Sequence, residues 1–141
     1  MSGTRPRYRP GQSLKPLRHL RLWCVLWCLA IAAVVVLSLM PAPPMPDVEN
    51  SDKIGHFLAY GTLAACAVQL YRNWAGLLGA GLALVLLGIA MEYAQGTLTD
   101  YRTMDANDAL ANTVGVLIGL ATRLTPIRDL LLRIDGVRDQ S

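Results

Sequence analysis

Residues 22–40 and 73–91 of this chain contain no Asp, Glu, Lys or Arg. At 1.5 Å per residue, a helix of about 20 residues crosses the roughly 30 Å of hydrocarbon in a bilayer. Hydrocarbon offers no water to the backbone, so an apolar run of this length folds as a helix that satisfies its own N–H and C=O groups. Two further segments approach the same length. One covers residues 53–71, with His56 near its start. The other covers residues 105–122. Its uncharged part, 109–122, is too short alone and reaches spanning length when the turn containing Asp108 enters the membrane interface.

Composition agrees. The 141 residues are 53% hydrophobic and only 16% charged, against about a quarter charged in soluble domains. The net charge of +3 is concentrated in tails beside apolar segments, which is an orientation signal rather than a nucleic-acid groove. The expected fold is all-α: a four-helix transmembrane bundle over residues 22–124. A polar, disordered basic tail (1–21) precedes it, and a tail (125–141) follows. The proline cluster at 41–46 stops the first helix, and Arg72 and Asn73 leave room only for a tight hairpin between the second and third. Residues 95–104 read as an exposed loop. A cleaved signal peptide is the rival reading of the first segment, but its apolar run exceeds the usual core of about 7–15 residues.

Lysine and arginine set the orientation. Arg5, Arg7, Arg9, Lys15, Arg18 and Arg21 precede the first apolar segment, and Arg123, Arg128, Arg133 and Arg138 follow the last. The first loop carries Asp47, Glu49 and Asp52 against Lys53, and the third carries Asp100 and Asp105 against Arg102. Both termini are therefore expected in the cytoplasm, with the first and third loops outside. Ile127, Leu130, Leu131 and Ile134 recur at helical intervals among arginines, so the C-terminal tail is either a surface-lying amphipathic helix or a plain solvated tail. Cys24, Cys28 and Cys66 lie within apolar runs and read as small apolar residues, not as a disulfide framework.

Polar residues inside the apolar segments fall on single faces. Lys53, His56 and Tyr60 share one face of the second helix, continued by Ala64 and Ala67. Gly81, Gly88, Glu92 and Gln95 share a face of the third. Asp105, Asp108, Asn112, Gly115 and Gly119 share a face of the fourth, the two glycines at GxxxG spacing. The expected topology brings every polar patch to the same membrane side. Charges near hydrocarbon are costly, so these stripes imply mutual pairing or a wet cavity. Three readings stay open. The network is purely structural, with Asp105 and Asp108 serving the helix dipole. Or it binds a ligand through Lys53, His56, Tyr60, Glu92, Gln95, Arg102, Asp105, Asp108 and Asn112. Or it is catalytic, with His56, Glu92 and Asp108 as acid–base candidates. His56 with Glu92, Asp105 and Asp108 is a conceivable metal set, yet no HExxH motif or paired histidine supports it. No metal and no cofactor is expected, and no phosphate loop or nucleophile elbow is present.

These residues resemble a known pattern. The run from Asp52, Lys53 and His56-Phe57 to Tyr60 is similar to the DKxxHFxxY signature of the VanZ-like membrane protein family. Glu92 and Gln95 match its ExxQ. Arg102, Asp105, Asp108, Asn112, Gly115 and Gly119 match its RxxDxxDxxxNxxGxxxG. The resemblance covers about residues 20–124. It implies a multi-pass protein of the bacterial inner membrane with a role at the cell envelope, since the family is named for a member linked to teicoplanin resistance. It supplies no reaction. The expected partners are the bilayer and an envelope lipid or cell-wall precursor, with no nucleic acid. The alternatives are an enzyme acting on a lipid-linked substrate and an assembly subunit without a ligand.

Overall fold

The computed structural model describes residues 11–44 and 50–137. Arg5, Arg7, Arg9, Asp47, Glu49 and Arg138 lie outside the described residues. Among the described residues five α-helices form: α1 (Leu20–Leu39), α2 (Ser51–Leu70), α3 (Trp74–Leu98), α4 (Ala106–Ala121) and α5 (Leu130–Asp135). Two single 3-10 turns, Thr122–Leu124 and Pro126–Asp129, link the last two. No strand occurs among the described residues. The all-α expectation holds. α1 and α3 are each long and apolar enough to cross a membrane, and a third span results if the segments Ala106–Leu124 and Pro126–Asp135, bent by 80°, count as one.

The outer surface is unlike that of a protein built for water. α1 has no buried residue, although Leu22, Val25, Leu29, Val36 and Leu37 are each more than half exposed. Leu78, Leu82 and Leu86 of α3 and Leu117 and Ile118 of α4 also point outward. The inward faces add small and polar residues to an apolar core of Leu63, Val68, Leu77, Leu84 and Val116: Ala64 and Ala67 of α2, Gly81, Gly88, Glu92 and Gln95 of α3, and Asp108, Asn112, Gly115 and Gly119 of α4. These are the stripes that helical spacing picks out. A surface of exposed leucine around such an interior is the distribution that hydrocarbon favours.

α2 and α4 make the most extensive contact, and glycine permits it. A Cβ at Gly115 would overlap the carbonyl oxygen of Phe57, and one at Gly119 would overlap that of Gly61 while lying 2.7 Å from Ala64 Cβ. Across the crossing, a Cβ at Gly61 would stand 3.2 Å from the Gly115 carbonyl oxygen. The two backbones therefore touch directly. α1 is held less tightly, by Trp27, whose indole N–H donates to the Leu63 carbonyl (2.9 Å) and whose ring meets Tyr71 edge-on.

α3 continues past its uncharged run to Leu98, four residues into the predicted 95–104 loop, and the connection to α4 is 99–105. The extension lets α3 reach the end of α1. Gln95 Nε2 donates to the Ser38 carbonyl (2.7 Å) and Tyr101 Oη to that of Leu39 (2.7 Å), covering carbonyls that the terminus of α1 leaves unpaired. At the opposite end, residues 11–19 of the expected tail pack onto the helices. Leu17 is fully buried, Lys15 N–H donates to Leu70 O (2.8 Å), and Arg72 N–H donates to Ser13 O (2.7 Å). Gln69 clamps the C-terminal segment, donating to Ile127 O and accepting from Leu131 N–H, both at 3.0 Å.

His19 and Asp135 tie the start of α1 to the end of α5. The His19 N–H donates to Asp135 Oδ2 (2.8 Å), and its Nδ1 lies 2.7 Å from Oδ1. Desolvation pushes the Asp135 carboxyl upward, but the His19 backbone and side chain outweigh it and hold the group at about 2.

Gly119→Ala should destabilise the protein by about 1–3 kcal/mol, because the new methyl meets backbone that cannot swing aside. Gly79→Ala, whose methyl would meet nothing within 4 Å, should leave stability equal or slightly raised; thermal unfolding in detergent compares the two. A depressed carboxyl stabilises above its unfolded value, near 3.9, and loses that effect as pH falls through the folded one. Amide exchange at His19 should thus stay protected at pH 5 and lose protection near pH 2, whereas Asp135→Asn should show weak protection at both.

Candidate functional site

The chain reverses direction at residues 72–73 and again at 99–105. The first turns of α2, the last turns of α3 and the first turns of α4 therefore share one end of the molecule. His56 stands at the centre. Its Nδ1 lies 3.8 Å from Glu92 Oε1 on α3, and its Nε2 lies 3.8 Å from both Asp108 Oδ2 on α4 and Asp52 Oδ1 one turn earlier on α2. These separations suit ion pairs and exceed direct hydrogen bonds. Lys53 reaches across to α4, 3.3 Å from Asp105 Oδ2 and 3.6 Å from Asp108 Oδ1. Arg102 Nη1 lies 3.6 Å from Asp52 Oδ1, and its Nε donates to the Met40 carbonyl at 3.3 Å.

Local rules account for each placement. Asp105 caps α4, its Oδ1 accepting from Asn107 N–H at 2.8 Å, which satisfies a donor that the helix cannot pair. The Asp105 N–H turns toward Glu92 Oε2 (3.3 Å) and links the α4 cap to α3. Gly88 makes room for the layer beneath: a Cβ there would stand 3.1 Å from Asn112 Cβ and 3.4 Å from Tyr60 Cε1.

The electrostatic balance is acidic. Asp52, Glu92, Asp105 and Asp108 gather against Lys53 and Arg102, with His56 between them. A neutral imidazole has one N–H and one lone pair, so one of its nitrogens must face a carboxylate oxygen without a proton to share. An imidazolium donates on both sides. Glu92 and Asn112 are almost wholly buried, at 2% and 1% exposure. Tyr60 Oη, Glu92 Oε1, Asp108 Oδ1 and both polar atoms of the Asn112 amide make no hydrogen bond among the described residues. Of these, Asp108 Oδ1 and Glu92 Oε1 face the charged or ring nitrogens of Lys53 (3.6 Å) and His56 (3.8 Å).

A cavity of about 150 Å³ opens beside this layer, between α1 and α2. His56, Tyr60, Asp52 and Arg102 line it together with Ser38, and Val34 and Leu37 form its apolar wall. Not every predicted residue reaches it. Glu92 stands behind His56, Lys53 pairs with Asp105 and Asp108 on the α4 side, Gln95 is committed to the Ser38 carbonyl, and Asn112 lies beneath with Tyr60. Asp52, part of the family-like motif, joins the site in addition to the residues expected from sequence. Its spacing four residues before His56 on one helix face was the available signal.

Asp52, His56 and Asp108 each offer a ligand atom, all within 4.8 Å of one another. This differs from the conceivable set read from sequence, since Asp52 takes the place of Glu92 and Asp105. Lys53 and Arg102 already neutralise the same carboxylates, which opposes a cation there. The arrangement suits two kinds of chemistry: recognition of an anion by Arg102 and His56 at the cavity, and proton exchange at an imidazole flanked by carboxylates.

Comparison with curated proteins and with solved structures gives no significant match. The sequence profile of the VanZ/LLP1 family matches residues 14–128. The matched span holds all four long helices and every residue of the His56 cluster, and it extends past the motifs to the docked segments at either end. By that match over most of its length, the chain belongs to the VanZ/LLP1 family.

Proposed function

We propose that this protein is a four-helix component of the bacterial inner membrane whose outward-facing cavity binds the polar or anionic part of a cell-envelope lipid or cell-wall precursor. The observation that carries the reading is His56, with Glu92 and Asp108 each 3.8 Å away, set beside a cavity whose rim bears Arg102. Arg102 meets negative charge on the ligand. His56, oriented by the carboxylates behind it, supplies a directional hydrogen bond, and Tyr60 lines the same cavity. The volume admits about five waters at roughly 30 Å³ each, which suits a phosphate-sized group rather than a whole lipid. The apolar wall of Val34 and Leu37 leaves the remainder of a lipid beside α1.

α2 and α4 complete the four spans in this reading. α4 is about 24 Å long at 1.5 Å per residue, so it crosses only with its polar first turn at the interface, where the Asp105 cap and Lys53 lie. Both termini are cytoplasmic, and the 99–105 loop faces outward. The family's link to glycopeptide resistance fits an envelope role and is carried here as a proposal.

A second reading is favoured by the flanking of both ring nitrogens. His56 with Glu92 or Asp108 would act as a general acid–base pair on a lipid-linked substrate. That requires the 3.8 Å gaps to close to about 3 Å or to be bridged by one water. Catalysis and binding separate in a turnover assay on lipid-linked phosphates, because a binding protein consumes nothing.

The double variant His56→Ala, Glu92→Ala should reach the membrane at wild-type levels and fail to complement the envelope-stress phenotype of a deletion strain. Full complementation by a well-expressed double variant would sink the site. A cysteine at position 100, in a chain with Cys24, Cys28 and Cys66 replaced, should react in intact cells with a maleimide that cannot cross the membrane. Labelling only after lysis would reverse the proposed topology.

A further inference from the structure

A cleft of about 330 Å³ opens at the end of the molecule opposite His56, where α1, α2 and α5 meet. Leu26 and Ala30 of α1 form one wall, Cys66 of α2 a second, and Leu130 and Ile134 of α5 a third. The fold sets these walls by its own contacts. Trp27 backs the cleft and is fixed by its bond to the Leu63 carbonyl and its edge contact with Tyr71. α5 is fastened by Gln69, which bonds Ile127 O and Leu131 N–H at 3.0 Å each, and by the 2.7 Å contact of His19 with Asp135.

The lining indicates what fits. Gln69 also lines the cleft, but both ends of its amide are spent on the C-terminal segment. Cys66 offers a thiol, which is a weak donor. The walls therefore present hydrocarbon. An apolar cavity of about 150 Å³ stays dry and takes up benzene, and this cleft has more than twice that volume. A further helix suits it poorly, because close helix packing in a membrane calls for small residues at the contact. Leu26, Leu130 and Ile134 instead project at the edges, 45%, 47% and 73% exposed. A flexible chain conforms to such an outline.

The location agrees. The cleft is continuous with the exposed apolar surface of α1, where Leu22, Val25 and Leu29 are each more than half exposed, and α1 is long and apolar enough to cross a membrane. α5 follows the 80° bend after α4 and sets Arg133 beside Leu130 and Ile134, a composition suited to the boundary between acyl chains and headgroups. From Trp23 to Ala30 the cleft follows α1 for about 10 Å, within the roughly 15 Å of hydrocarbon in one leaflet. An acyl chain entering beside α5 fills it without leaving its leaflet. Enclosed on three sides, that chain gains dispersion contacts and covers a helix that has no buried residue of its own.

We propose that α1, α2 and α5 hold one acyl chain of a bilayer phospholipid in the cleft between them.

Trp23 and Trp27 line the cleft, whereas Trp74 stacks on Arg123 elsewhere, so Trp74→Phe leaves two reporters at the site. The full chain with this substitution, purified in neutral detergent, is titrated with phosphatidylcholine brominated on its acyl chains while tryptophan emission is followed. Emission should fall and level off at one lipid per protein. Unbrominated phosphatidylcholine of the same chain length should reverse the quenching, and glycerophosphocholine, the same headgroup without chains, should not. Ala30→Phe, added to this protein, puts a ring into the cleft and should weaken lipid binding about fivefold or more. Ala32→Phe, also exposed on α1 but outside the cleft, should leave it unchanged. Quenching that grows without levelling off would mean surface lipid only and overturns the proposal with no cleft variant needed. So does equal binding by the two phenylalanine variants. Reversal by glycerophosphocholine would overturn the hydrocarbon assignment. Cross-linking of Cys66 to Cys66 in membranes, with Cys24 and Cys28 replaced, would seat a second copy in the cleft and overturn the proposal as well.

Discussion

The contact on which the rest depends is the backbone-to-backbone crossing of α2 and α4 at Gly61, Gly115 and Gly119. Lipid tails are as apolar as leucine, so in a bilayer burial alone does not drive helices together and close packing must supply the attraction. Glycine at the crossing lets dispersion and weak backbone contacts act at short range. The crossing also sets a register. With Gly115 against the Phe57 carbonyl, the first turns of the two helices lie side by side. That alignment places Asp108 beside His56 and Asp105 beside Lys53. The polar site is in this sense a consequence of the glycine seam below it.

Charge is distributed along the molecule as strictly as size is across it. One end holds Asp52, Glu92, Asp105 and Asp108 around a single histidine, tempered by Lys53 and Arg102. The other holds Lys15, Arg72, Arg123 and Arg128 around Asp129. Between them the interior packs small residues with Tyr60, Leu63, Leu77, Leu84 and Val116, and the exterior is rich in leucine, isoleucine and valine. Ionisable groups are tolerated only where they pair or reach the interface, which confines chemistry to the two ends. At the acidic end the carboxylates face His56, Lys53 and Arg102, while at the basic end backbone carbonyls orient Lys15 and Arg123.

Much of this was legible in the amino-acid order. Helical spacing alone selected Tyr60, Ala64 and Ala67, then Gly81, Gly88, Glu92 and Gln95, then Asp108, Asn112, Gly115 and Gly119, and all of them face inward. Helix ends were less legible. Gly96 and the polar residues after Gln95 read as a loop, yet α3 continues to Leu98 because its end is fastened to the carbonyls of α1. Such a fastening is long-range and leaves no trace in local propensity. The docking of residues 11–19 had the same origin: proline and arginine look like a solvated tail until Lys15 finds the carbonyls that end α2.

By itself the sequence determined which segments are apolar enough to span, which side of each helix turns inward, and which residues carry charge at each end, because these follow from composition and from the fixed turn of the α-helix. Only the tertiary structure decided which stripes meet and at what depth. It set Glu92 and Asp108 on either side of His56, sent Gln95 to the Ser38 carbonyl rather than the cavity, and gathered four distant cations around one space. Rotation and offset between helices are set by how side chains and glycine backbones interlock across the seam. That information belongs to pairs of helices and is not contained in either one alone.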